Sequence, residues 1–107
     1  MSNSWGGGGE SEIMKEAIEK ARDAGILFVA AAGNSNANND SANFFPSNYD
    51  VSNVLAVAAL DNQDKVAKFS NYGKRKVHVG APGVEVYSTV IDGMYDRLSG
   101  TSMACPH

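Results

Sequence analysis

The sequence predicts an α/β domain with a mainly parallel sheet flanked by helices. Two continuous apolar runs, residues 26–32 and 54–60, show no alternation of polar and apolar side chains. Such runs are typical of strands that are buried on both faces of a parallel sheet. An amphipathic stretch precedes the first run, and a long polar loop separates the two runs. A helix, a buried strand, a loop and a second buried strand, in this order, are typical of α/β domains.

The amphipathic stretch, residues 12–24, is predicted to be a helix with one buried stripe. Its apolar side chains recur at helical spacing, and they are Ile13, Met14, Ala17, Ile18 and Ala21. Ser11 is the expected N-cap, and Glu12 places a negative charge at the positive end of the helix dipole. Gly25 is suited to end the helix, since glycine readily takes the left-handed conformation that is common there.

Two shorter strands and the start of a helix are predicted after the buried runs. Residues 77–81 and 84–90 are the candidate strands, although the composition of the second is mixed. Ser102 and the residues after it are predicted to form the first turn of a helix, with Thr101 or a neighbour as its cap. The sequence ends at His107 before that helix is complete. We therefore expect these residues to be part of a larger domain.

Composition and charge argue against several kinds of partner. The chain has 43% hydrophobic and 20% charged residues, as globular proteins do, and its formal net charge is −3. Nucleic acids and anionic membranes bind clustered Lys and Arg, and only the triplet 74–76 is basic. No apolar run approaches the roughly 20 residues that span a bilayer. We expect neither a nucleic-acid partner nor a membrane partner.

A serine at a predicted helix start is the first candidate for catalysis. Gly100 allows a substrate backbone to approach closely, and the free N–H groups at the helix start can stabilise a developing negative charge. Ser102 is therefore suited to nucleophilic attack. The alternative is that Ser102 only caps the helix. For the bare triplet Gly100-Thr101-Ser102, that alternative would be preferred.

Asn34 is the second candidate, because it follows the first buried strand at its carboxyl end. α/β folds bind ligands in the crevice at that end of their strands, and the Asn34 amide can donate to an oxyanion. The alternative is a residue that only turns the chain. Residues 4–7, Ser-Trp-Gly-Gly, have a bare backbone with which an extended peptide could pair, and their alternative is a flexible loop.

Taken together, these segments resemble the subtilisin-like serine proteases. Residues 100–107, Gly-Thr-Ser-Met-Ala-Cys-Pro-His, are similar to the nucleophile motif of that family, Gly-Thr-Ser-Met-Ala-x-Pro-His. Residues 31–34 resemble its oxyanion-hole segment, and residues 4–7 resemble its substrate-pairing strand, which commonly reads Ser-Leu-Gly-Gly. Residues 69–73 and 81–83 resemble two further landmarks of the family. Order and spacing agree along essentially the whole chain.

The resemblance implies a subtilisin-like α/β catalytic domain, of which residues 1–107 are a part, and a serine endopeptidase that forms an acyl-enzyme. Ser102 would attack the scissile carbonyl of a polypeptide substrate. The Asn34 side chain and the Ser102 backbone N–H would stabilise the oxyanion. The implied substrate-binding residues are Ser4, Trp5, Gly6, Gly7, Ala31, Ala32, Gly33, Phe44, Gly100 and Thr101.

Two positions depart from the usual pattern of the family and bear on specificity. Trp5 stands where leucine is common, which should crowd the neighbouring subsites. Phe44 falls near the floor of the pocket for the residue before the cut, where its ring would make the pocket shallow and favour small or medium side chains. The alternative is that Phe44 faces the core.

The catalytic base and acid of the family are not found in these residues. The family order is Asp, His and then Ser, and the first two would lie upstream of this chain. His78 and His107 match neither position, whereas the serine needs a base within hydrogen-bond reach. We therefore expect the isolated chain to be inactive. A pseudo-protease or peptide-binding module that keeps the cleft is the alternative. Cys105, three residues after Ser102, is a weaker candidate nucleophile that should face the core.

Expectations about cofactors and location follow from the family alone. No cofactor is required for this chemistry, and the resemblance leaves room for a calcium ion held by main-chain carbonyls of loop 46–54 in the whole protein. No carboxylate cage of the EF-hand type is present. Secretion of the whole protein is the habit of the family. Because a partial domain leaves apolar sheet surface uncovered, the isolated chain is expected to self-associate.

Overall fold

A four-stranded parallel sheet forms the centre of the structure, a computed structural model that describes all of residues 1–107. Its strands are β1 (Ser2–Asn3), β2 (Phe28–Ala31), β3 (Val54–Leu60) and β4 (Val79–Pro82), and they lie in that order across the sheet. Each pair of neighbouring strands runs parallel. The predicted α/β fold with a mainly parallel sheet is therefore confirmed.

Strand β3 is buried on both faces, as its continuous apolar run predicts. Within it, only Leu55 and Leu60 are half-buried, and the other residues are buried. Alternate residues of a strand point to opposite faces of the sheet. One core cluster contains Ile18, Phe28, Ala30, Tyr49, Val51 and Val54, and the other contains Val57, Ala59, Ala67 and Ala104. Strand β3 therefore contributes residues to both core clusters.

Helix α1 (Glu12–Asp23) ends one residue before its predicted bound, and local interactions define both of its ends. The Ser11 hydroxyl accepts a hydrogen bond from the Met14 backbone N–H at 3.3 Å, as expected of an N-cap. At the other end Gly25 takes a φ of +72°, and the backbone hydrogen bonds around it form a Schellman motif. None of the chain's helices combines the length and the apolar composition that a membrane-spanning helix needs.

The buried stripe of α1 is narrower than its sequence predicts. Ile18 and Ala21 are buried and Met14 is half-buried, whereas Ala17 is exposed and Ile13 is 82% exposed. The prediction was wrong for Ile13 and Ala17, because α1 packs only over strand β2 and its neighbours in the first core cluster. No element of the chain covers the side of the helix on which Ile13 lies.

A two-stranded antiparallel hairpin follows β4, and the sequence pattern predicts only half of it. Strands β5 (Val86–Val90) and β6 (Met94–Leu98) are joined by a 3₁₀ turn at Ile91–Gly93. The pattern predicts a strand over residues 84–90 and none over β6. The pair Asp92-Gly93 in the turn, with φ of 67° and 70°, is a hairpin signal that identifies this feature in hindsight.

The hairpin returns the chain to the carboxyl ends of the sheet strands, where helix α2 (Thr101–Ala104) begins. The Gly100 backbone N–H donates to the Gly83 carbonyl at 2.8 Å. A Cβ on Gly83 would lie 2.5 Å from the Ala59 Cβ and 2.9 Å from the Gly100 carbonyl oxygen, so this approach requires glycine. Ala104 is fully buried against strand β3. The fold thus places the predicted nucleophile helix over the strand ends.

Candidate active site

Ser102 lies in the first turn of α2, where the chain reaches the carboxyl end of the sheet. Its side chain is half-buried, and its hydroxyl donates to the Ser4 carbonyl oxygen at 2.9 Å. The Ser102 backbone N–H has no hydrogen-bond partner in the protein, because no helical carbonyl precedes it. The candidate nucleophile therefore presents a hydroxyl and a free backbone donor side by side.

Asn34 lies beside α2, and Thr101 determines which way its side chain points. The Asn34 Oδ1 accepts hydrogen bonds from the Thr101 backbone N–H at 2.8 Å and from the Thr101 hydroxyl at 2.9 Å. A backbone N–H can only donate, so the amide oxygen must face it. The Asn34 Nδ2 consequently points the other way, where it has no hydrogen-bond partner in the protein.

The two unpartnered donors flank the same space beside Gly100. A Cβ built on Gly100 would lie 3.6 Å from the Asn34 Nδ2 and 3.7 Å from the Ser102 backbone nitrogen. Because glycine has no side chain, that space is open to another molecule. Two N–H donors that converge on one open point can stabilise a single negatively charged oxygen. The resemblance implies an oxyanion site for Asn34 and Ser102, and that role stays a prediction.

Phe44 lies between two of the predicted pocket-lining glycines. A Cβ on Gly6 would come within 2.5 Å of the Phe44 ring, and a Cβ on Gly33 would lie 3.1 Å from the same ring. The neighbouring residue Phe45, by contrast, packs against the first core cluster. The structure thus brings Gly6, Gly33 and Phe44 together. The side chains of Ala31 and Ala32 are buried, so these residues can offer a substrate only their backbone groups.

Residues 4–7 form an exposed and largely unpaired segment of backbone. The Gly7 N–H donates to the Phe45 carbonyl at 2.9 Å, and the Ser4 carbonyl accepts from Ser102. The backbone N–H groups of Ser4, Trp5 and Gly6 have no partner in the protein. The Trp5 side chain is 51% exposed and borders a small pocket that Met14, Phe45, Pro46 and Tyr49 also line. This segment can therefore pair with an extended peptide.

We expect Gly33→Ala to destabilise the whole protein by about 3 kcal/mol. Gly33 has a φ of +107°, and a Cβ there would lie 2.5 Å from the Asn71 Nδ2, a buried atom that cannot move away. Urea-induced unfolding measures the loss. Gly9→Ala is the control, because a Cβ on Gly9 would meet nothing within 4 Å. Equal stability of the two variants would contradict the tight packing described for Gly33.

Neither histidine makes a hydrogen bond with Ser102, and Cys105 faces the interior. The His78 Nδ1 accepts from the Ala56 backbone N–H at 2.8 Å, which uses His78 to extend the sheet beside β3. The His107 Nδ1 lies 2.8 Å from the Met103 carbonyl oxygen, one turn back along the chain. Cys105 is 4% exposed, with its sulfur directed at strands β1 and β2. The Ser102 hydroxyl therefore has no hydrogen-bonded base among residues 1–107.

Loop 46–54, where the resemblance leaves room for calcium, offers main-chain carbonyls and few charged ligands for this ion. Calcium binds six to eight oxygens, several of them from carboxylates. The loop contributes one carboxylate, Asp50, which lies 3.9 Å from the Lys76 ammonium. A cavity beside the loop, separate from the candidate active site, has a volume of about 900 Å³ and is also lined by Arg22 and Arg75. These cations disfavour a metal ion in this cavity, and calcium binding by main-chain carbonyls of the loop in the whole protein stays a prediction.

Asp40 ties the polar loop after β2 to the segment that follows Tyr72. Its carboxylate accepts hydrogen bonds from the backbone N–H groups of Lys74, Arg75 and Lys76 at 2.9, 3.1 and 2.9 Å. Partial desolvation raises the pKa of Asp40, but the three hydrogen bonds together outweigh it and hold the pKa below its ordinary value. The carboxylate is therefore ionised near neutral pH and keeps the two segments together.

Three buried polar residues lie behind the substrate cleft, and they are Thr101, Asn39 and Asn71. The sequence pattern does not show which groups they contact. Thr101 is 1% exposed, and its hydroxyl accepts from the Gly33 N–H at 3.1 Å besides donating to Asn34. This burial favours a positioning role for the Thr101 side chain over the implied contact with substrate. Asn39 and Asn71 lie under the same loop. Asn71 belongs to a landmark of the family, but its burial depends on the packing of distant segments.

Comparison with known proteins places this geometry in a family. The sequence model of the Subtilase family matches residues 1–107. Subtilisin DY of Bacillus licheniformis is 45% identical over 108 aligned residues, which cover 100% of this chain and 38% of that protein. A thermophilic serine proteinase of Bacillus sp. (strain AK1) is 47% identical over 94 residues, which cover 88% of this chain and 22% of that protein.

A solved structure shares the fold. The crystal structure of a cold adapted subtilisin-like serine proteinase superposes with a TM-score of 0.84 at 39% sequence identity, and the match covers 98% of this chain and 36% of that one. The chain thus spans less than two fifths of the length of each of these relatives. Since the family model matches the chain from end to end and the fold agrees, this chain belongs to the subtilase family.

Proposed function

We propose that residues 1–107 form the nucleophile and the substrate cleft of a longer serine endopeptidase, whose base and acid lie outside this chain. The observation that carries the proposal is the position of the Ser102 hydroxyl next to two unpartnered donors, the Asn34 Nδ2 and the Ser102 N–H, around the open space at Gly100. A nucleophile beside two preorganised donors is suited to acyl transfer. Membership of the subtilase family supports the same chemistry.

The proposed reaction follows from these three groups. The Ser102 oxygen forms a bond to the scissile carbonyl carbon, the hydroxyl proton passes to the base, and the carbonyl electron pair moves onto its oxygen. The Asn34 Nδ2 and the Ser102 N–H stabilise that oxyanion. When the oxyanion collapses, the peptide C–N bond breaks and the leaving amine takes the proton from the base. Water then hydrolyses the Ser102 ester by the same steps in reverse order.

The isolated chain is proposed to be inactive because its serine lacks a base. The Ser102 hydroxyl donates a hydrogen bond to the Ser4 carbonyl oxygen, which is too weak a base to remove the proton. His78 and His107 form hydrogen bonds with backbone atoms and none with Ser102. A serine hydroxyl without an adjacent base is a weak nucleophile near neutral pH.

The substrate is proposed to be an extended polypeptide that lies between two stretches of backbone. On one side, residues 4–7 offer unpaired N–H groups. On the other side, Ala31, Ala32 and Gly33 lead to Asn34. The residue before the scissile bond would enter between Gly6 and Gly33, where the Phe44 ring closes the floor. Trp5, half-exposed next to this channel, would narrow the adjoining subsites.

Phe44→Gly should widen the choice of side chain before the cut. We expect the ratio of kcat/KM for a substrate with Phe at that position to one with Ala to rise by about 10- to 100-fold. A ratio within one variant is insensitive to its stability. Phe44→Leu, which keeps a smaller apolar side chain, should give an intermediate ratio. An unchanged ratio in both variants would mean that Phe44 does not form the pocket floor.

Labelling with a fluorophosphonate tests the proposal as a whole. The full-length protein and the chain of residues 1–107 are treated with the same probe, which reacts only with an activated serine. We expect labelling of the full-length protein and none of the isolated chain. Labelling of the isolated chain would show that a base lies within it or in a second copy. No labelling of either would favour the peptide-binding pseudo-protease.

We also propose how the chain behaves on its own and where the whole protein acts. Large apolar side chains are exposed in the hairpin, and they are Tyr87, Ile91, Met94, Tyr95 and Leu98. In the isolated chain such surface would promote self-association. Size-exclusion chromatography of the isolated chain measures this self-association.

We place the whole protein outside the cell, following the habit of the family.

A further inference from the structure

Two buried asparagines, Asn39 and Asn71, lie beneath the loop that carries Asn34. Each is 1% exposed, and the Asn71 Nδ2 donates to the Asn39 Oδ1 at 3.0 Å. They come from different parts of the chain, since Asn39 follows β2 and Asn71 precedes β4. The cost of burying two amides is met only if their hydrogen bonds are made. Their other partners therefore show what the pair does.

The partners of these two side chains are backbone groups that flank Asn34. The Asn71 Oδ1 accepts from the N–H groups of Ser35 at 2.8 Å and Ala37 at 3.1 Å. The Asn39 Nδ2 donates to the Ala32 carbonyl at 2.9 Å. The Asn71 backbone N–H adds a hydrogen bond to the Gly33 carbonyl at 2.8 Å. The pair thus holds the backbone on both sides of Asn34.

The loop needs this support because its backbone conformation is unusual. Gly33 has a φ of +107°, and Asn36, which is not a glycine, has a φ of 49°. Residues held in such conformations persist only where the surrounding structure determines them. An amide is the side chain that suits this task, since its oxygen accepts two N–H groups while its NH₂ donates to the next amide. Neither an ionised aspartate nor a leucine has both abilities.

Thr101 and the asparagine pair hold different parts of Asn34. Thr101 binds the side-chain oxygen of Asn34, and thereby sets the direction of its Nδ2. Asn71 and Asn39 bind the backbone before and after Asn34, and thereby set where its Cα stands. An oxyanion donor must be placed to within a fraction of an ångström, so both kinds of restraint matter for catalysis.

We propose that Asn71, acting with Asn39, is a positioning residue that aims Asn34 at the oxyanion. The inference rests on the proposed function, because it assigns a task to Asn71 only if Asn34 stabilises the transition state. Its energetic signature is coupling. If Asn71 acts through Asn34, removing Asn34 first must abolish most of the effect of removing Asn71.

The test is a double-mutant cycle in the full-length protein with a peptide substrate. Asn71→Ala alone should lower kcat by about 10- to 30-fold and change KM by less than about 3-fold. In the Asn34→Ala background, the same change should lower kcat by less than about 3-fold. Each kcat is normalised to the number of sites that a fluorophosphonate labels, which corrects for unfolded protein. The control is Asn53→Ala, a buried asparagine that binds the carbonyls of Ile18 and Ile26 away from the cleft.

A second variant keeps the inference testable if Asn71→Ala fails to fold. Asn71→Asp keeps the acceptor for Ser35 and Ala37 but, when ionised, cannot donate to Asn39. Its kcat relative to that of the unmodified protein should rise as the pH falls, because protonation of the new carboxyl group restores a donor. A pH-independent ratio would overturn the inference.

The remaining outcomes separate this inference from the proposed function. If Asn71→Ala lowers kcat equally in both backgrounds, or changes KM alone, Asn71 has only a structural role. Such a result would not contradict the proposed role of Asn34. An unchanged kcat in Asn34→Ala alone would overturn the proposed role of Asn34 itself, and the inference about Asn71 with it.

Discussion

Replacing Ser102 with alanine in the full-length protein is expected to lower kcat for peptide hydrolysis by about 10⁶-fold, the loss that removal of the nucleophile causes in subtilisin, to which this chain is related. The substitution removes the Oγ that is proposed to form the bond to the substrate. It should leave the fold unchanged, because the Ser102 hydroxyl makes a single hydrogen bond within the protein, to the Ser4 carbonyl at 2.9 Å. Labelling by a fluorophosphonate should vanish with the activity.

Ser99→Ala is the matched control for this experiment. Ser99 precedes α2 by two residues, and its hydroxyl accepts from the Glu85 N–H at 2.8 Å rather than facing the cleft. We expect this variant to keep its labelling and its kcat. Thermal unfolding of both variants shows whether they are folded. Full activity of folded Ser102→Ala would mean that another residue is the nucleophile and that the cleft has been assigned wrongly.

Removal of the Asn34 amide is expected to lower kcat by about 10²- to 10³-fold, the loss known for the corresponding donor of subtilisin. The Asn34 Nδ2 has no partner in the resting protein, and in the proposed mechanism it binds only the oxyanion, so KM should change little. Steady-state kinetics of Asn34→Ala with a peptide substrate measures both constants. Asn62→Ala, in the exposed loop after β3, is the control and should retain full kcat.

Gly100→Ala tests the same oxyanion site from the opposite direction, by filling it. The added methyl group would lie 3.5 to 3.6 Å from the Met103 sulfur and the Asn34 Nδ2, which are ordinary contacts, and the φ of 161° suits any residue. The variant should therefore fold. Because the methyl group occupies the space between the two donors, kcat should fall at least as far as in Asn34→Ala. A fully active Gly100→Ala would show that the oxyanion lies elsewhere.

Local sequence determines much of the fold. Residues 54–60 form a strand with the predicted bounds, because seven consecutive apolar residues between polar loops have to be covered on both faces. Helix α1 is also predicted almost to its ends, since Ser11 and Gly25 act on neighbouring backbone groups. The hairpin formed by β5 and β6 is predicted only in part, because its strands are exposed and lack an apolar pattern.

The identity of the candidate site could likewise be taken from the sequence, through the motifs around Ser102 and Asn34. What those residues can do depends on contacts between distant segments. Thr101, which orients the Asn34 amide, lies 67 residues further along the chain, and Asn71 lies 36 residues beyond Ser35. Phe44 closes the space between Gly6 and Gly33. A local pattern predicts which residue types are present, whereas hydrogen-bond direction and pocket depth arise only when non-adjacent segments pack against one another. For this reason the sequence by itself determined the family and the core strands and predicted the nucleophile, and only the tertiary structure decided the direction of the Asn34 amide and the position of the Phe44 ring.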